Sequence, residues 1–572
     1  MRKLTVSIGQ HSDKGLKAVN QDFYGALIPE VQALGMKGIA IALADGISSS
    51  SVSQVASEST IKSFLTDYYC TSDTWTVKTS AQRVISATNS WLYSETKRSQ
   101  HAYDMDKGYV CTLSALILKS NSAHIFHVGD SRIYRVSGDS LEQLTNDHRA
   151  VLSAEKSYLS RAIGMAENVE IDYQMLPLEH GDIFILATDG VYEFVEPKFV
   201  TAAIRDHADD LDKAAKIIVI EALGQGSGDN LTVQIVRVDE LPDGDADDFM
   251  GANEDLPAPP LLEARMEFDG YKILRELHAN NRSHIYLAMD MATETEVALK
   301  IPSIDMRGNA DYLKRFMTEE WIARRLNSAH VLKAVPQTRK RNFIYVVTEF
   351  VDGQTLAQWM IDNPKPDMET VRGIVEQIAV GLRAFHRKEM VHQDLRPANI
   401  MIDHLGTVKI IDFGSTKVAG VLEAAPAVEG EEILGTVQYT APEYFVGEMG
   451  ARRSDFFSLG VIAYQMLTGK LPYGAQVSRA RTKAQQRKLR YIAAQSDSHE
   501  IPDWIDGALK KSVNPDPFKR YETLSEFVAD LRTPNKTFMA NTHKPLAERD
   551  PVLFWQGISL ILVIIIGVLL VL

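Results

Sequence analysis

The amino-acid sequence predicts a multidomain protein of the α+β class, with two folded domains and an apolar helix at the C-terminal end. Its 572 residues exceed the usual size of one domain, which is roughly 100–200 residues. An acidic, proline-containing stretch at 239–267 divides the chain, and an uncharged apolar stretch at 552–572 follows the second half. The composition, 45% hydrophobic and 24% charged, is typical of globular proteins rather than fibrous or disordered ones.

Charge and cysteine content argue against two further classes of protein. The formal net charge of −14 is unlike that of nucleic-acid binders, which usually present a basic face. Two cysteines, Cys70 and Cys111, are too few for a disulfide framework and indicate a reducing compartment. We therefore expect no nucleic-acid partner, and the sequence leaves dimerisation open.

Within residues 1–238, four segments share one form: an apolar, strand-like run that ends at an aspartate beside turn-forming residues. These aspartates are Asp45, Asp130, Asp189 and Asp229. A single Asp-Gly pair is more typical of an ordinary hairpin turn. Several carboxylates in one cleft would repel each other unless cations were bound, and an all-oxygen set suits Mg²⁺ or Mn²⁺.

Together with Asn20-Gln21-Asp22 and Leu144-Thr145-Asn146-Asp147-His148, these segments resemble the metal-dependent Ser/Thr protein phosphatases of the PPM family over residues 1–238. The resemblance implies an α/β/β/α sandwich, in which two antiparallel sheets are flanked by helices. It also implies phosphoprotein substrates and a pair of metal ions, which activate water without a cysteine nucleophile. Lys17 stands where the family usually has a phosphate-binding arginine.

The resemblance also assigns the ligands of two Mg²⁺ or Mn²⁺ ions. Asp45 would bridge the two ions, and the Gly46 carbonyl would complete one shell. Asp189 and Asp229 would hold one ion and Asp22 the other. Asp130 would help to hold a third ion, if one binds.

The second half contains three motifs in a characteristic order, and together they are far more specific than any one alone. They are His392-Gln393-Asp394-Leu395-Arg396-Pro397-Ala398-Asn399, Asp412-Phe413-Gly414 and Ala441-Pro442-Glu443. Residues 268–535 resemble the bacterial eukaryotic-like Ser/Thr protein kinases. The resemblance implies a bilobal kinase fold with a β-rich small lobe, a helical large lobe, and a site for ATP with Mg²⁺.

The kinase roles follow from the same resemblance. Asp394 would accept the proton of the substrate hydroxyl, while Asn399 and Asp412 would hold Mg²⁺ across the ATP phosphates. Lys300 would contact the α- and β-phosphates and pair with Glu319, with Glu320 as the alternative register. Arg396 would bind the γ-phosphate, and Glu349 to Val351 would form the adenine-binding hinge. Asp455 would brace the catalytic loop, and Glu443 would pair with Arg520.

Two departures from the kinase pattern raise an alternative function. The nucleotide loop, Leu277–Tyr286, contains no glycine, although Asn280 and Asn281 tolerate the left-handed backbone that glycine would supply. Gln393 replaces an arginine that pairs with an activation-loop phosphate in many kinases. The sequence therefore predicts a bifunctional phosphatase and kinase, and the alternative is an active phosphatase fused to a nucleotide-sensing or partner-binding pseudokinase.

Residues 552–572 contain no charge and are long enough to cross a hydrocarbon core of about 30 Å. The segment predicts a transmembrane helix preceded by a juxtamembrane segment at 536–551, and a buried core helix is the alternative. We expect a single-pass protein of the bacterial inner membrane, with a C-terminal anchor and both catalytic domains in the cytoplasm.

Overall fold

The structure is a computed structural model that describes residues 3–153, 156–242, 256–307, 309–336, 339–424, 437–495, 501–538 and 551–571. Part of the predicted linker, 243–255, and most of the predicted juxtamembrane segment, 539–550, lie outside the described residues. The described residues form the two expected domains of mixed α and β structure.

The first domain is built on two five-stranded antiparallel sheets. Its strands are β1 Thr5–Asp13, β2 Phe23–Leu27, β3 Ile39–Ala44, β4 Leu113–Lys119, β5 Ser122–Val128, β6 Arg132–Ser137, β7 Ser140–Gln143, β8 Arg149–Ser153, β9 Lys156–Leu159, β10 Asp172–Pro177, β11 Ile183–Ala187 and β12 Leu231–Glu240. Its helices are α1 Val31–Lys37, α2 Ser53–Cys70, α3 Val77–Arg98, α4 Asp189–Tyr192, α5 Pro197–Asp206 and α6 Leu211–Gly224. One sheet has the order β1-β12-β11-β6-β7 and the other β10-β5-β4-β3-β2.

Strand β3 explains how these layers pack. Successive side chains of a strand point to opposite faces, and all six residues of β3 are buried. The larger residues Ile39, Ile41 and Leu43 face the other sheet. Ala40, Ala42 and Ala44 face helices α2 and α3, whereas α5 and α6 cover the opposite sheet. The core is therefore a four-layered sandwich, and Asp45 emerges directly from its centre.

The second domain has two lobes. Its strands are β13 Glu267–Phe268, β14 Tyr271–Ala279, β15 Ser283–Asp290, β16 Thr295–Pro302, β17 Val346–Glu349, β18 Gly353–Thr355, β19 Met390–Val391, β20 Ile400–Asp403, β21 Val408–Ile410 and β22 Lys417–Val418. Its helices are α7 Ala310–Arg325, α8 Leu356–Asp362, α9 Met368–Arg387, α10 Ala419–Ala424, α11 Arg452–Thr468, α12 Lys483–Gln486, α13 Asp503–Ser512 and α14 Leu524–Arg532. Strands β13 to β17 form the sheet of the small lobe, and helices dominate the large lobe.

Helix α11 organises the large lobe. Most of its residues are buried, as is typical of a helix surrounded by other elements. Next to it, the predicted pair of Glu443 and Arg520 is confirmed, with 2.7 Å between Oε2 and Nη2. Both side chains are buried. Because removing one member of a buried pair leaves a charge uncompensated, such pairs fix the relative position of the elements that carry them.

The predicted transmembrane helix is not supported by the structure. Residues Pro551–Val571 form a helix, α15, but its side chains are described only at 552–563 and 565–566. Within the described residues, no helix has both the length and the apolar character that a membrane crossing demands. A crossing helix needs about 20 consecutive apolar residues.

Candidate active sites

The predicted phosphatase residues gather at one end of the sandwich. Asp45, Gly46, Asp130, Asp189 and Asp229 line one cleft of about 480 Å³. Asp22, which is 5% exposed, is buried behind them. The structure thus brings together all six residues that the sequence proposed as metal ligands.

Gly46 is fixed by the close approach of two backbone segments. A Cβ atom there would lie 2.8 Å from the Ser53 carbonyl oxygen and 2.9 Å from the Gln21 carbonyl oxygen. The Gly46 amide donates to that Gln21 oxygen over 3.1 Å, and the Asp45 amide donates to Thr112 Oγ1 over 2.9 Å. The Asp-Gly sequence therefore serves the close packing of the cleft wall, not a free hairpin turn.

The two oxygens of Asp22 differ in their contacts with the described residues. Its Oδ2 accepts hydrogen bonds from Thr188 Oγ1 at 3.0 Å and Thr232 Oγ1 at 2.7 Å. Its Oδ1 is buried and accepts no hydrogen bond from the described residues. A buried oxygen without a donor is costly, so this atom fits a cation.

The carboxylates of the cleft carry more negative charge than the surrounding protein compensates. Burial raises the pKa of Asp45 well above its usual range, and the charges of Asp22, Asp189 and Asp130 raise it further. Burial, Asp130 and Asp229 raise the pKa of Asp189 to about 7. A divalent cation would favour the ionised forms, and an all-oxygen donor set matches Mg²⁺ or Mn²⁺.

Among the described residues, an arginine and a lysine contact these carboxylates. Arg149 donates to Asp130 at 2.6 Å, Asp189 at 2.8 Å and Glu193 at 2.9 Å. Lys17 Nζ lies 3.2 Å from Asp229 Oδ1. In the part of the chain that the structure describes, no three His, Cys, Asp or Glu side chains are placed to hold a metal ion. Sequence reasoning missed Arg149, although it directly follows the matched motif that ends at His148.

In the second domain, the predicted lysine–glutamate pair is formed. Lys300 Nζ donates to Glu319 Oε2 at 2.5 Å and lies 4.0 Å from Asp412 Oδ1. Glu320, the alternative register, instead accepts from Arg341 and Arg324. Glu319 is therefore the partner of Lys300.

Asp412 faces this pair. Burial opposes its ionisation, but the charge of Lys300 and the Gly414 amide hold the pKa of Asp412 below its usual value. Its backbone has a φ of 64°, a left-handed conformation that is uncommon for a residue with a side chain and is often found at functional sites. The carboxylate is thus held ionised beside Lys300, as a Mg²⁺ ligand should be.

The catalytic loop is also assembled. Asn399 Nδ2 donates to Asp394 Oδ2 at 3.0 Å, and Arg396 Nε lies 3.4 Å from the same oxygen. The predicted brace is confirmed, because Asp455 accepts from the backbone amides of His392 and Gln393 at 3.0 and 3.1 Å. Asp394, Arg396 and Asn399 therefore share one cleft.

The predicted hinge follows strand β17. The Glu349 carboxylate accepts from Lys409 Nζ at 2.7 Å and from the Lys333 amide at 2.9 Å. Val351 is buried, at 7% exposure. Since these contacts engage the Glu349 side chain, any contact with an adenine ring falls to the backbone of this segment.

The glycine-free loop is a hairpin that the Asn280 side chain closes. Asn280 Oδ1 accepts from the amides of Arg282 at 2.8 Å and Ser283 at 2.9 Å. Asparagine tolerates left-handed backbone, but neither Asn280 nor Asn281 has a positive φ here. The side-chain bonds replace the conformational freedom of glycine.

Family comparisons agree with this division of the chain. Residues 10–222 match the family described as Protein phosphatase 2C, and residues 271–530 match the family described as Protein kinase domain. The chain therefore joins a protein phosphatase 2C domain to a Ser/Thr protein kinase domain.

Similar curated proteins match the kinase half. Serine/threonine-protein kinase PrkC of Bacillus subtilis is 30% identical over 268 residues, which are 46% of this chain and 40% of PrkC. PknA of Corynebacterium glutamicum is 31% identical over 283 residues, which are 46% of this chain and 60% of PknA. The chain thus spans about half the length of the curated relatives it matches.

Similar solved structures match one half or the other. The catalytic domain of the serine threonine protein phosphatase PstP in complex with two manganese ions is 24% identical, with a TM-score of 0.35, over 42% of this chain and 100% of that chain. The PknI kinase domain of Mycobacterium tuberculosis is 22% identical, with a TM-score of 0.37, over 48% of this chain and 99% of that chain.

Removing the Arg149 guanidinium should strengthen metal binding. In Arg149→Met the carboxylates lose a competing cation, so we expect Mn²⁺ to bind roughly three- to tenfold more tightly. Isothermal titration calorimetry measures this directly. The matched control is Arg161→Met, because Arg161 pairs with Asp172 at 2.8 Å and does not line the cleft. Unchanged or weaker Mn²⁺ binding in Arg149→Met would contradict the competition.

Removing the Asn280 side chain should loosen the nucleotide loop. Asn280→Ala loses two hydrogen bonds of about 1 kcal/mol each, so we expect a fluorescent ATP analogue to bind roughly three- to tenfold more weakly. Asn281→Ala is the control, because the Asn281 contact with Ser303 Oγ is made by its backbone carbonyl. Equal losses of affinity in Asn280→Ala and Asn281→Ala would show that the two hydrogen bonds of the Asn280 side chain do not shape the nucleotide site.

Proposed function

We propose that the protein is a bifunctional enzyme that sets the phosphorylation of protein targets, as a metal-dependent Ser/Thr phosphatase and an ATP-dependent Ser/Thr kinase. The observation that carries this proposal is the assembled kinase cleft, in which Lys300 lies 2.5 Å from Glu319 and 4.0 Å from Asp412. Phosphoryl transfer by kinases depends on positioning and charge, and it needs this lysine–glutamate pair and a metal-binding aspartate together.

In the phosphatase domain, Asp45, Asp22, Asp189 and Asp229 would hold two Mg²⁺ or Mn²⁺ ions, with the Gly46 carbonyl in one shell and Asp130 near a third position. Such ions supply activated water and neutralise phosphoryl oxygens. Lys17, whose side chain is 34% exposed at the cleft, would bind the phosphate of a phosphoprotein as a point charge.

In the kinase domain, Asp394 would accept the proton of the substrate hydroxyl, and Arg396 would bind the γ-phosphate. Asn399 and Asp412 are the Mg²⁺ ligands of this proposal, and the backbone of Glu349 to Val351 would hold adenine. Arg282, in the loop above, is close enough to Asp394 to lower the pKa of that carboxyl, although burial raises it overall to about 6. The positive charge of Arg282 supports a contact between this side chain and phosphate.

A pseudokinase is the second candidate for this domain. The glycine-free loop favours it, because side chains at Leu277–Tyr286 limit the close approach of backbone to phosphate. In that case the domain would bind nucleotide or a partner without transferring phosphate, beside an active phosphatase.

One experiment separates these candidates. The full chain carrying Asp45→Asn, which protects phosphorylated product, is incubated with labelled ATP, Mg²⁺ and a generic protein substrate. We expect labelling that Asp412→Ala abolishes, because Asp412 would hold the metal across the phosphates. The unmodified chain with Mn²⁺ should hydrolyse a phosphoprotein, and chelator should stop it. No labelling in Asp45→Asn would favour the pseudokinase, and full hydrolysis in excess chelator would refute the metal-dependent phosphatase.

We also propose that helix α15 attaches the protein to the bacterial inner membrane by a single pass, with both domains in the cytoplasm. The charge-free sequence of 552–572 supports this. So do the exposed apolar side chains along the helix, which include Val552, Trp555, Leu560 and Val563. A row of exposed apolar side chains is costly in water and typical of a surface that contacts lipid or protein.

Deleting 552–572 should move the protein from washed membranes to the soluble fraction, because the deletion removes the uncharged apolar segment that this proposal places in the bilayer. Fractionation followed by immunoblotting measures the shift, and deletion of the acidic stretch 243–255 is the control for truncation itself. Recovery of the full chain in the soluble fraction would contradict the proposal.

A further inference from the structure

The two domains meet at a surface of charged and backbone contacts, which we call the docking surface. On the phosphatase side it consists of residues 72–79, which connect α2 to α3 and include the first residues of α3, and Lys119 at the end of β4. On the kinase side it consists of Arg325, residues 387–389, and residues 420–423 of α10. Each of these kinase segments is near an active-site element in the sequence. Arg325 ends the helix that carries Glu319, residues 387–389 precede the catalytic loop at His392, and residues 420–423 follow Asp412-Phe413-Gly414.

Lys119 is the buried centre of this surface. Its side chain is 0% exposed, and Nζ lies 3.1 Å from Glu423 Oε2. It also donates to the Gly420 carbonyl at 2.8 Å. Burial lowers the pKa of Lys119, and the Glu423 carboxylate opposes that effect. A buried ammonium group needs a paired charge, and a kinase residue supplies it here.

The N-terminus of helix α3 is completed by kinase carboxylates. The Thr76 amide donates to Glu389 Oε2 at 2.8 Å, and the Val77 amide donates to Glu423 Oε2 at 2.9 Å. Thr79 Oγ1 donates to Glu389 Oε1 at 2.7 Å. The first amides of a helix lack partners within the helix and attract negative charge. The kinase domain therefore caps a phosphatase helix of 22 residues.

The activation segment of the kinase begins at this surface. Glu423 and Gly420 follow Asp412-Phe413-Gly414 by only a few residues. The Gly420 amide donates to the Thr74 carbonyl at 3.0 Å, and a Cβ atom on Gly420 would lie 2.8 Å from the Trp75 carbonyl oxygen. Backbone thus packs directly on backbone. The following residues, 425–436, lie outside the described part of the chain.

Helix α7 reaches the same surface. Arg325, its last residue, donates from Nε and Nη2 to Asp73 Oδ2 at 2.9 and 2.7 Å, and its guanidinium stacks 3.7 Å from the Trp321 ring centre. Glu319, the partner of Lys300, lies on the same helix six residues earlier. The loop at 72–79 therefore contacts both elements whose positions determine whether the kinase cleft is assembled.

We propose that the phosphatase domain is an intramolecular activator of the kinase domain, holding α7 and the start of the activation segment so that Lys300 and Glu319 stay paired. This inference rests on the proposed kinase activity. Gln393 supports it, because a neutral amide cannot pair strongly with an activation-loop phosphate. Docking supplies another way to order this segment.

The experiment uses the full chain with Asp73→Arg, Arg325→Asp, and both together. Each single change places like charges opposite each other, which is strongly unfavourable, whereas the double change restores a pair. The control is Arg205→Asp, which breaks the exposed Arg205–Asp139 pair on the phosphatase surface. We measure protein phosphorylation by the kinase, binding of a fluorescent ATP analogue, and hydrogen exchange of 310–325 and 419–424.

Each single change should lower the rate of protein phosphorylation by about tenfold and reduce hydrogen-exchange protection of 310–325. The double change should restore most of the phosphorylation rate and most of the hydrogen-exchange protection. Arg205→Asp should change neither the rate nor the protection. Hydrolysis of an aryl phosphate should stay within about twofold, because the docking surface is far from the phosphatase cleft. Lys119 is the last residue of β4, and Thr112, which lines the cleft, immediately precedes its first, so the two are about 20 Å apart. Loss of protection without loss of kinase rate, or a double variant no better than either single one, would overturn the proposal.

The measurements also distinguish failure of this inference from failure of the proposed kinase function. If the unmodified chain transfers no phosphate, hydrogen exchange and ATP-analogue binding still test the docking surface. Reduced protection and weaker binding in the single variants, restored in the double variant, would support docking control of a pseudokinase cleft. Unchanged protection in every variant would refute the docking surface itself.

Discussion

Buried negative charge must be balanced by nearby positive charge, and this constraint shapes both active sites and the contact between them. In the kinase cleft, Lys300 balances Glu319 and Asp412. In the phosphatase cleft, Arg149 contacts three carboxylates at once. Between the domains, Lys119 balances Glu423. An unpaired charge is costly away from water. Each of these ion pairs therefore fixes the relative position of the two segments that carry its members.

The two clefts satisfy this constraint to different degrees. Around Lys300 the charge of Asp412 is compensated within the protein, since the pKa of Asp412 lies below its usual value, although burial raises the pKa of Asp394 in the same cleft to about 6. In the phosphatase cleft the pKa values of Asp45 and Asp189 are both raised, and Asp22 Oδ1 accepts no hydrogen bond from the described residues. Lys300 thus compensates Asp412 from within the protein, whereas in the phosphatase cleft divalent cations would compensate the remaining negative charge.

The features that could be predicted from the sequence are those that depend on a short run of residues. Asp45 and Asp189 follow buried strands, so their place at the sheet ends could be read from alternation and turn residues. The choice of Glu319 over Glu320 needed the structure, because adjacent residues on a helix point in directions about 100° apart. Arg149 and the Lys119–Glu423 pair were not predicted, since the latter joins residues 304 positions apart. Asn280 does not use the left-handed backbone that asparagine tolerates, because its side chain closes the hairpin instead.

Gln393 and Lys119 together indicate which charges order the activation segment in this protein. Where an arginine binds a phosphate, the segment is ordered by two charges, one of which is added covalently. Here the first described part of the segment is held by Glu423 and Lys119, whose charges are both encoded in the sequence. Such a pair needs no covalent signal, and it lasts as long as the domains remain docked. In this proposal the phosphatase domain takes the ordering role that a phosphate has in other kinases, so the state of the kinase cleft depends on the contact between the domains.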